Sequence, residues 1–224
     1  MKKVLVIVII FIVLLILALW GPWYKWNFNF YSLVGINTPE KYSDLKVKSL
    51  AGTIDIYIDK QYQGSVSDNE DSADIASITS GEHEITLKRS SQYEYYEFDH
   101  KVDFEQGVET VIAYDLGPSE IFSEGHILYA KKNFANNGNP KLLVYCSPSA
   151  TKVYLDGIYV GDTPLQNIDL DPSKQHTIKL QKTGYIDLEF KILPDNETDR
   201  EKLSGFDIVV EAKLFLKPFY VINQ

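Results

Sequence analysis

Tyr154-Leu155-Asp156-Gly157-Ile158-Tyr159-Val160-Gly161, followed directly by Asp162-Thr163-Pro164, predicts a β-hairpin. Hydrophobic residues alternate with other residues on both sides of Asp156-Gly157, which is the period of a half-buried strand. An Asp-Gly pair between two alternating runs is the strongest short-range signal for a hairpin turn. Because Pro164 has no backbone donor and a fixed φ, the chain is expected to leave the ladder at Thr163-Pro164.

A second stretch repeats this pattern earlier in the chain: Tyr57-Ile58-Asp59-Lys60-Gln61-Tyr62-Gln63-Gly64. Both stretches read Tyr-x-Asp-x-x-Tyr-x-Gly. Asp59-Lys60 is a weaker turn signal than Asp-Gly, and no Thr-Pro follows it. The repeat predicts two copies of one small β module, in which the shared residues have a structural role. The shared residues are Tyr57, Asp59, Tyr62 and Gly64 in the first copy and Tyr154, Asp156, Tyr159 and Gly161 in the second. Gly157, Thr163 and Pro164 are predicted to have the same structural role in the second copy alone.

The second copy resembles the PEGA domain family over residues 141 to 216. Pro148-Ser149-Ala150-Thr151 stands where that family has its Pro-Glu-Gly-Ala turn, which is a departure at the residues that give the family its name. The other family features are all present: Asp156-Gly157, Gly161 with Thr163-Pro164, the strand His176 to Leu180, and Gly184-Tyr185. The resemblance implies a small β-sandwich module of cell-surface proteins, without catalytic residues.

The first copy resembles the same family more loosely, over residues 45 to 116. Ala51-Gly52-Thr53-Ile54 stands at the turn, and Gly81 to Leu87 matches the histidine strand. Short strand patterns separated by turns, with no amphipathic helical stretch, predict an all-β protein of two small PEGA-like β-sandwiches in tandem. The predicted domains are 44–117 and 141–224, and 118–140 is the linker. Gly125 to Ala130 within that linker is predicted as an extra edge strand.

An apolar run of about 17 residues, Val4 to Trp20, follows Lys2-Lys3 near the N-terminus. This length is at the lower limit for a helix that spans a bilayer. A cleavable signal peptide is the alternative, but Ala18 to Pro22 lacks the small-residue pattern of a cleavage site. The sequence therefore predicts an uncleaved transmembrane signal anchor at 1–26, with a juxtamembrane linker at 27–43.

All three tryptophans of the protein lie close together after this run. Trp20, Trp23, Tyr24 and Trp26 are predicted as an aromatic belt at the membrane interface, where amphipathic rings are favoured. A core cluster for the first sandwich is the less favoured alternative. The lysines before the run place the N-terminus in the cytoplasm, so we expect a single-pass cell-membrane protein with extracytoplasmic domains. The lipid bilayer is thus the first predicted partner.

Composition narrows the remaining function classes. The chain of 224 residues has a formal net charge of −9, which makes nucleic acid an unsuitable partner. Its one cysteine, Cys146, excludes an intrachain disulfide and is predicted as a small apolar strand residue rather than a reactive thiol. No cofactor motif occurs, and neither do the short motifs of hydrolases or phosphate-binding loops.

Two groups of polar residues are candidates for metal binding. The loop from Asp68 to Asp74 contains four carboxylates, but its spacing does not match an EF-hand loop, so a solvated acidic turn is favoured over a Ca²⁺ site. The four histidines are far apart in sequence. His83 and His176 occupy equivalent positions of the repeat, which favours a shared structural role over a joint metal site. We therefore predict no metal.

Tyr93 and Tyr95 are the candidate ligand-facing aromatics, in the most aromatic stretch outside the belt. Exposed rings stack on sugars or form protein contacts. The favoured alternative is ordinary alternation within a strand from Tyr93 to Asp103, with Tyr96 and Phe98 facing inward.

The sequence as a whole predicts a membrane-anchored, extracytoplasmic, non-catalytic surface protein, with modules that act as spacer, adhesion or envelope-binding units. Envelope protein or polysaccharide is the expected partner outside the membrane. One alternative is an ectodomain subunit of a membrane sensor or export complex. Another is a carbohydrate-binding or hydrolytic surface protein, although the absence of active-site motifs predicts that the chain is not an enzyme.

Overall fold

The computed structural model of the protein describes residues 42–133 and 139–218, which belong to one compact unit. The predicted signal anchor, the aromatic belt and all but the last two residues of the juxtamembrane linker lie outside the described residues. Within the described ranges, no helix has both the length and the apolar character that crossing a bilayer requires.

The described chain is all-β, as predicted, and its first half contains seven strands. They are β1 (Tyr42–Ser49), β2 (Ile54–Ile58), β3 (Gln61–Val66), β4 (Ala73–Thr79), β5 (Gly81–Arg89), β6 (Phe98–Phe104) and β7 (Glu109–Asp115). A single 3₁₀ turn at Glu120–Phe122 leads into β8 (Glu124–Lys132).

The second half contains another seven strands and one short helix. They are β9 (Lys141–Ser147), β10 (Lys152–Leu155), β11 (Ile158–Asp162), β12 (Leu165–Asp169), β13 (Thr177–Gln181), β14 (Leu188–Lys191), α1 (Glu197–Lys202) and β15 (Phe206–Lys213). Helix α1 lies between β14 and β15. The Asn196 side chain caps α1 by accepting a hydrogen bond from the Asp199 N–H at 2.7 Å.

The strands form three sheets. A seven-stranded sheet, here called the long sheet, has the order β12-β9-β15-β8-β7-β1-β4. The first cover sheet has the order β3-β2-β5-β6, and the second cover sheet has the order β11-β10-β13-β14. Each half of the chain therefore contributes one cover sheet and three strands of the long sheet.

The strand pairing of the first half recurs in the second half. In the first half β1 pairs with β4 antiparallel and with β7 parallel. In the second half β9 pairs with β12 antiparallel and with β15 parallel. The two outermost strands of the long sheet, β4 and β12, each contain a register shift and one residue with positive φ, Ser77 and Asn167. Such bulges protect an exposed edge against pairing with another chain.

Strand β8 joins the two halves at the centre of the long sheet. It pairs with β7 on one side and with β15 on the other, so the predicted edge position of Gly125 to Ala130 is wrong. Ile127 is buried in the core of the first half, whereas Ala130 is buried in the core of the second half. Side chains at odd and even positions of a strand point to opposite faces, so the two cover sheets pack on opposite faces of the long sheet.

Each half has its own cluster of buried hydrophobic side chains between its cover sheet and the long sheet. The first cluster includes the fully buried Leu45, Ile56, Leu87 and Ile112. The second includes the fully buried Leu142, Val153, Ile178, Leu180 and Val210. Burying one such side chain contributes about 1.5–3 kcal/mol relative to leaving it in water. The alternating pattern that predicted half-buried strands arises from these two clusters.

Both predicted hairpins are confirmed, as β2–β3 and β10–β11. Asp59 and Lys60 have φ of 49° and 67°, and Asp156 and Gly157 have φ of 50° and 79°. Positive φ at both central residues defines the turn type that matches the twist of a hairpin. The first turn therefore forms although Lys60, a side-chain-bearing residue, occupies the position that glycine takes in the second.

We expect Lys60→Gly to raise the free energy of unfolding by about 0.5–1 kcal/mol, because glycine adopts positive φ without steric strain. The reverse change in the second hairpin, Gly157→Lys, is expected to lower it by a similar amount. Urea unfolding followed by circular dichroism measures both changes. A loss of stability in Lys60→Gly would contradict this role of the turn.

Three further boundaries differ from the sequence-based predictions. Strand β6 begins at Phe98 rather than Tyr93. Strand β12 was not predicted: after Thr163-Pro164 the chain leaves the second cover sheet, as expected, and then pairs with β9 in the long sheet. The predicted linker 118–140 contains β8. The division into two separate domains stays a prediction.

Candidate functional site

The turn aspartate of the second hairpin, Asp156, binds His176, which directly precedes β13. The Asp156 Oδ2 lies 2.7 Å from the His176 Nδ1, and its Oδ1 accepts a hydrogen bond from the Thr177 N–H at 3.0 Å. The His176 Nε2 lies 3.0 Å from the carbonyl oxygen of Asp171. We call this arrangement the second Asp–His clamp, because it fastens the hairpin turn to the adjacent strand.

The first half contains the same arrangement, the first Asp–His clamp. The Asp59 Oδ2 lies 2.7 Å from the His83 Nδ1, and its Oδ1 accepts from the Glu84 N–H at 3.0 Å. The His83 Nε2 lies 2.8 Å from the carbonyl oxygen of Thr79. In both clamps the two ring nitrogens face oxygen acceptors, and both nitrogens donate at the same time only in the imidazolium form.

The clamps lower the pKa of both aspartates. The His83 ring and the Glu84 N–H hold the pKa of Asp59 below its ordinary value of 3.8. For Asp156 the Thr177 N–H has the largest effect, and His176 adds to it, so the pKa of this carboxyl is also lowered. A carboxylate that accepts hydrogen bonds is favoured over its protonated form.

We expect the clamps to make the fold sensitive to acid. Because both aspartates have a lower pKa in the folded chain, their contribution to stability is present above the unfolded-state pKa and is lost as the pH falls through the folded value. The midpoint of urea unfolding should therefore fall less steeply between pH 5 and about 3 in Asp59→Asn/Asp156→Asn than in the unaltered protein. Equal slopes would show that the clamps do not titrate with folding.

Each repeat motif also contains a pair of tyrosines on the outer face of a cover sheet. The ring centroids of Tyr57 and Tyr62 lie 5.5 Å apart at an interplanar angle of 62°. Those of Tyr154 and Tyr159 lie 5.7 Å apart at 61°. Edge-to-face pairs of this kind add about 0.5–1.5 kcal/mol to a hairpin. Tyr62 and Tyr159 are both exposed, so each pair also presents one aromatic ring to solvent.

The remaining motif residues shape the ends of the hairpins. Gly64 and Gly161 have φ of 148° and 146°, next to register shifts at equivalent positions of the two hairpins. Thr163 is buried, and its Oγ1 accepts a hydrogen bond from the Thr151 N–H at 3.1 Å. Pro164 then starts the crossing to β12. The structure thus gives every motif residue a contact or a backbone conformation that holds the fold together.

The candidate ligand-facing tyrosines lie in the irregular segment before β6. Tyr93 is exposed over 70% of its surface, whereas Tyr95 is half-buried. The Arg89 guanidinium lies 5.0 Å from the centroid of the Tyr95 ring, and Arg89 also pairs with Asp115. The Arg89 contact covers part of the Tyr95 ring, so the two tyrosines do not form a common flat surface.

Two carboxylates of the acidic loop accept hydrogen bonds from backbone N–H groups that lie outside the loop. The Asp68 Oδ2 accepts a hydrogen bond from the Gly52 N–H at 2.9 Å, and the Glu70 Oε2 accepts from the Ser67 N–H at 2.8 Å. In the described part of the chain, no group of three or more His, Cys, Asp and Glu side chains is arranged to hold a metal ion. His83 and His176 are each engaged by an aspartate of their own half.

The Cys146 thiol lies in β9 and is partly buried against the second hydrophobic cluster. Burial raises the pKa of this thiol to about 11. Since the thiolate is the reactive form, this environment makes Cys146 a poor nucleophile.

A polar cluster connects the two halves across the long sheet. The Glu211 carboxylate of β15 accepts a hydrogen bond from the Tyr129 hydroxyl of β8 at 2.7 Å. The same carboxylate lies 3.1 Å from the Nε2 of His100, which belongs to the first cover sheet. The His100 contact lowers the pKa of Glu211. The cluster ties the first cover sheet to a strand of the second half, in addition to the contacts of β8.

Two of the surface depressions of the described chain are candidate binding sites. The larger has a volume of about 740 Å³ and lies between the outer face of β1 and the segment that contains α1. Four of its charged groups form ion pairs: Lys46 with Glu109 and Lys202 with Asp199, both at 2.9 Å. His126 lies at its base, stacked on Phe190 with the ring centroids 3.6 Å apart, and burial lowers the pKa of His126 to about 4.

The smaller depression, here called the lysine depression, has a volume of about 420 Å³ and lies on the second half. Its lining side chains come from β10, from the end of β13 and the segment that follows it, and from the segment after β15. They include Lys152, Gln181, Lys182, Asp187 and Lys217. No sequence motif marks this group, because its members are far apart in the chain. The one available signal is the difference between Lys152 and the equivalent Asp55 of the first copy.

Comparison with protein-family models supports the resemblance of the second half. The model described as the PEGA domain matches residues 139–203. This range contains the second hairpin, the second Asp–His clamp and the buried Thr163. No curated protein matches the chain. Residues 139–203 are therefore similar to the PEGA domain family, within an all-β, sandwich-like fold.

Proposed function

We propose that this chain is a membrane-anchored, extracytoplasmic, non-catalytic surface protein that displays two PEGA-like units as spacer, adhesion or envelope-binding modules. The observation that carries the proposal is that the motif residues of both halves make contacts that stabilise the fold. The carboxylates and imidazoles that recur in both halves are bound to each other and to the backbone in the two Asp–His clamps.

We propose further that the first half is a divergent second copy of the PEGA-like unit, in tandem with residues 139–203. Three kinds of correspondence support this. The strand pairing is the same in both halves. The Asp–His contacts are 2.7 Å in both clamps, and the contacts from the histidine Nε2 to a carbonyl oxygen are 2.8 Å and 3.0 Å. The tyrosine pairs agree in distance and angle.

The proposed location rests on the sequence of the N-terminal segment. The run from Val4 to Trp20 follows two lysines and is itself followed by a cluster of tryptophans, which is typical of a signal anchor. Strand β8 is hydrogen-bonded to β7 of the first half and to β15 of the second half, so one sheet connects the two halves. The two halves are therefore not joined by a flexible linker alone. A unit of this kind is suited to holding a binding surface at a fixed place beyond the membrane.

Protease treatment of intact cells tests the proposed location. We expect an added protease to remove an epitope placed after Pro218 while an epitope placed before Lys2 stays protected, and we expect the chain to pellet with membranes. A cytoplasmic protein of the same cells serves as the control for lysis. Protection of both epitopes, or recovery of a soluble chain that begins after Trp20, would overturn the proposal.

A further inference from the structure

The lysine depression concentrates positive charge on an acidic chain. The Lys182 ammonium donates hydrogen bonds to the carbonyl oxygens of Ser149 and Ala150, both at 2.8 Å, and not to a carboxylate. Lys152 lies opposite Asp162 of β11 in the strand register, and Lys217 lies near enough to Asp187 to help lower the pKa of that carboxyl. Among the described residues, neither lysine is within ion-pair distance of a carboxylate. Three ammonium groups therefore share this depression, on a chain with a formal net charge of −9.

The one carboxylate of the depression is already engaged. The Asp187 Oδ2 lies 3.1 Å from the Lys179 ammonium and accepts a hydrogen bond from the Gln181 amide at 2.9 Å. The backbone N–H of Lys217 donates to the carbonyl oxygen of Gly184 at 2.9 Å, which holds Lys217 at the rim. The three lysines of the depression outnumber its one carboxylate, so they repel each other, and a bound anion relieves part of this repulsion.

The first half shows that the fold does not require this charge. In the first half, Asp55 of β2 is the register partner of Lys88 in β5. In the second half, Lys152 of β10 is the register partner of Gln181 in β13. Asp55 is therefore the counterpart of Lys152. Arg89 is then the counterpart of Lys182, and it is paired with Asp115 and covered by the Tyr95 ring. The same position of the repeat is thus neutralised in the first half and left cationic in the second.

An aromatic surface borders the lysine depression. Tyr154 lies two positions after Lys152 on the same face of β10, and its hydroxyl donates a hydrogen bond to the Gln181 Oε1 at 3.3 Å. Tyr159 packs edge-on against Tyr154 and is half exposed. Aromatic rings stack on the apolar faces of sugar rings, and ammonium groups bind carboxylates. The two features lie side by side on one face of the second cover sheet.

We infer that the lysine depression and the Tyr154–Tyr159 pair form a binding site for an acidic polysaccharide, one whose sugar rings carry carboxylates. The carboxylates contact Lys152 and Lys217, and a neighbouring sugar ring stacks on Tyr159. This inference rests on the proposed extracytoplasmic function and gives it a partner class. The first half lacks the site, so the chain binds the polymer through one of its two units.

Binding of polygalacturonate to the full chain in detergent tests the inference, with neutral dextran as the reference polymer. We expect Lys152→Glu/Lys217→Glu to weaken binding by about 30-fold or more, since each lost contact to a charged group is worth roughly one factor of ten. Tyr159→Ala is expected to weaken it about 3- to 10-fold. Binding of the unaltered chain is expected to weaken as the salt concentration rises.

The matched control is Lys48→Glu/Lys131→Glu, which changes the net charge by the same amount at exposed lysines outside the lysine depression. Binding within about twofold of the unaltered chain is expected for this control. Equal losses in both double variants would overturn the inference, and so would equal binding of dextran. Circular dichroism establishes that each variant is folded.

Vesicles with and without phosphatidylglycerol distinguish a polysaccharide from a lipid surface. Lysine-dependent binding to the anionic vesicles, without binding to polygalacturonate, would overturn the inference in favour of a membrane contact. The proposed extracytoplasmic location and the proposed binding site can be disproved independently of each other. A chain that is cleaved on intact cells but does not bind the polymer retains the proposed location and loses this site.

Discussion

Ile127→Ala is expected to lower the free energy of unfolding by about 2–5 kcal/mol and to destabilise both halves of the chain together. Ile127 is fully buried in the first hydrophobic cluster, and it belongs to β8, which pairs with strands of both halves. The lost methylene groups leave a cavity on the first face of the long sheet. Because β8 cannot leave the sheet without exposing the second cluster as well, the second half is expected to unfold at the same urea concentration.

Urea titration followed by amide NMR signals of each half measures this effect. The control is Ile121→Ala, which removes an exposed side chain in the same segment and is expected to change stability by less than about 0.5 kcal/mol. Two separate transitions in Ile127→Ala, with the second half unchanged, would show that β8 does not couple the halves.

Asp156→Ala is expected to lower the free energy of unfolding by about 2–3 kcal/mol. The change leaves the Nδ1 of the buried His176 and the Thr177 N–H without their acceptors. The equivalent change Asp59→Ala is expected to cost about 1–2 kcal/mol, because water replaces the lost acceptor more readily there. The exposed fraction of the aspartate side chain is 55% in the first clamp and 35% in the second.

Asp156→Asn distinguishes the contribution of the Asp156 charge from the contribution of its hydrogen bonds. Asparagine tolerates the positive φ of 50° at this position and still offers an oxygen to the Thr177 N–H. We expect it to lose less stability than Asp156→Ala at pH 7 and to unfold with a weaker dependence on acid. Thermal unfolding in parallel samples gives both comparisons. A stability of Asp156→Ala within about 0.5 kcal/mol of the unaltered chain would show that the clamp is not structural.

Local signals in the sequence were sufficient to predict the hairpins. Asp156-Gly157 specifies its turn type directly, and the alternation around it places Val153 and Leu155 on the inner face. The first hairpin has only Asp59-Lys60, and its formation depends on contacts that are distant in the sequence, including the bond from His83. The first hairpin could be predicted because its sequence repeats the motif of the second hairpin, where the turn signal is strong.

The position of β8 was not predictable from the same local reasoning. Gly125 to Ala130 has apolar residues on both faces, which is the pattern of a strand covered on both sides. Its brevity and its place between two repeats suggested an edge strand instead. Its central position depends on the pairing of β7 and β15, which are about 95 residues apart in the chain, and no short-range pattern reports such pairing.

The lysine depression also could not be predicted from the sequence. Lys152, Lys182 and Lys217 are separated by at least about 30 residues, and each reads singly as a solvated surface lysine. The fold brings them together because β10 and β13 are neighbours and because Lys217 is bound to the turn at Gly184. The predicted ligand-facing tyrosines, Tyr93 and Tyr95, lie in the first half, where Arg89 and Asp115 neutralise the equivalent position.

Native-state hydrogen exchange tests most directly whether the duplicated units form one cooperative structure joined by β8. The slowest amides of β1 and β7 in the first half, and those of β9 and β15 in the second, are predicted to exchange with the same free energy of opening. Ile127→Ala is predicted to lower both values equally. A first half that opens at least about 2 kcal/mol more easily than the second, with only its own amides affected by Ile127→Ala, would contradict the account.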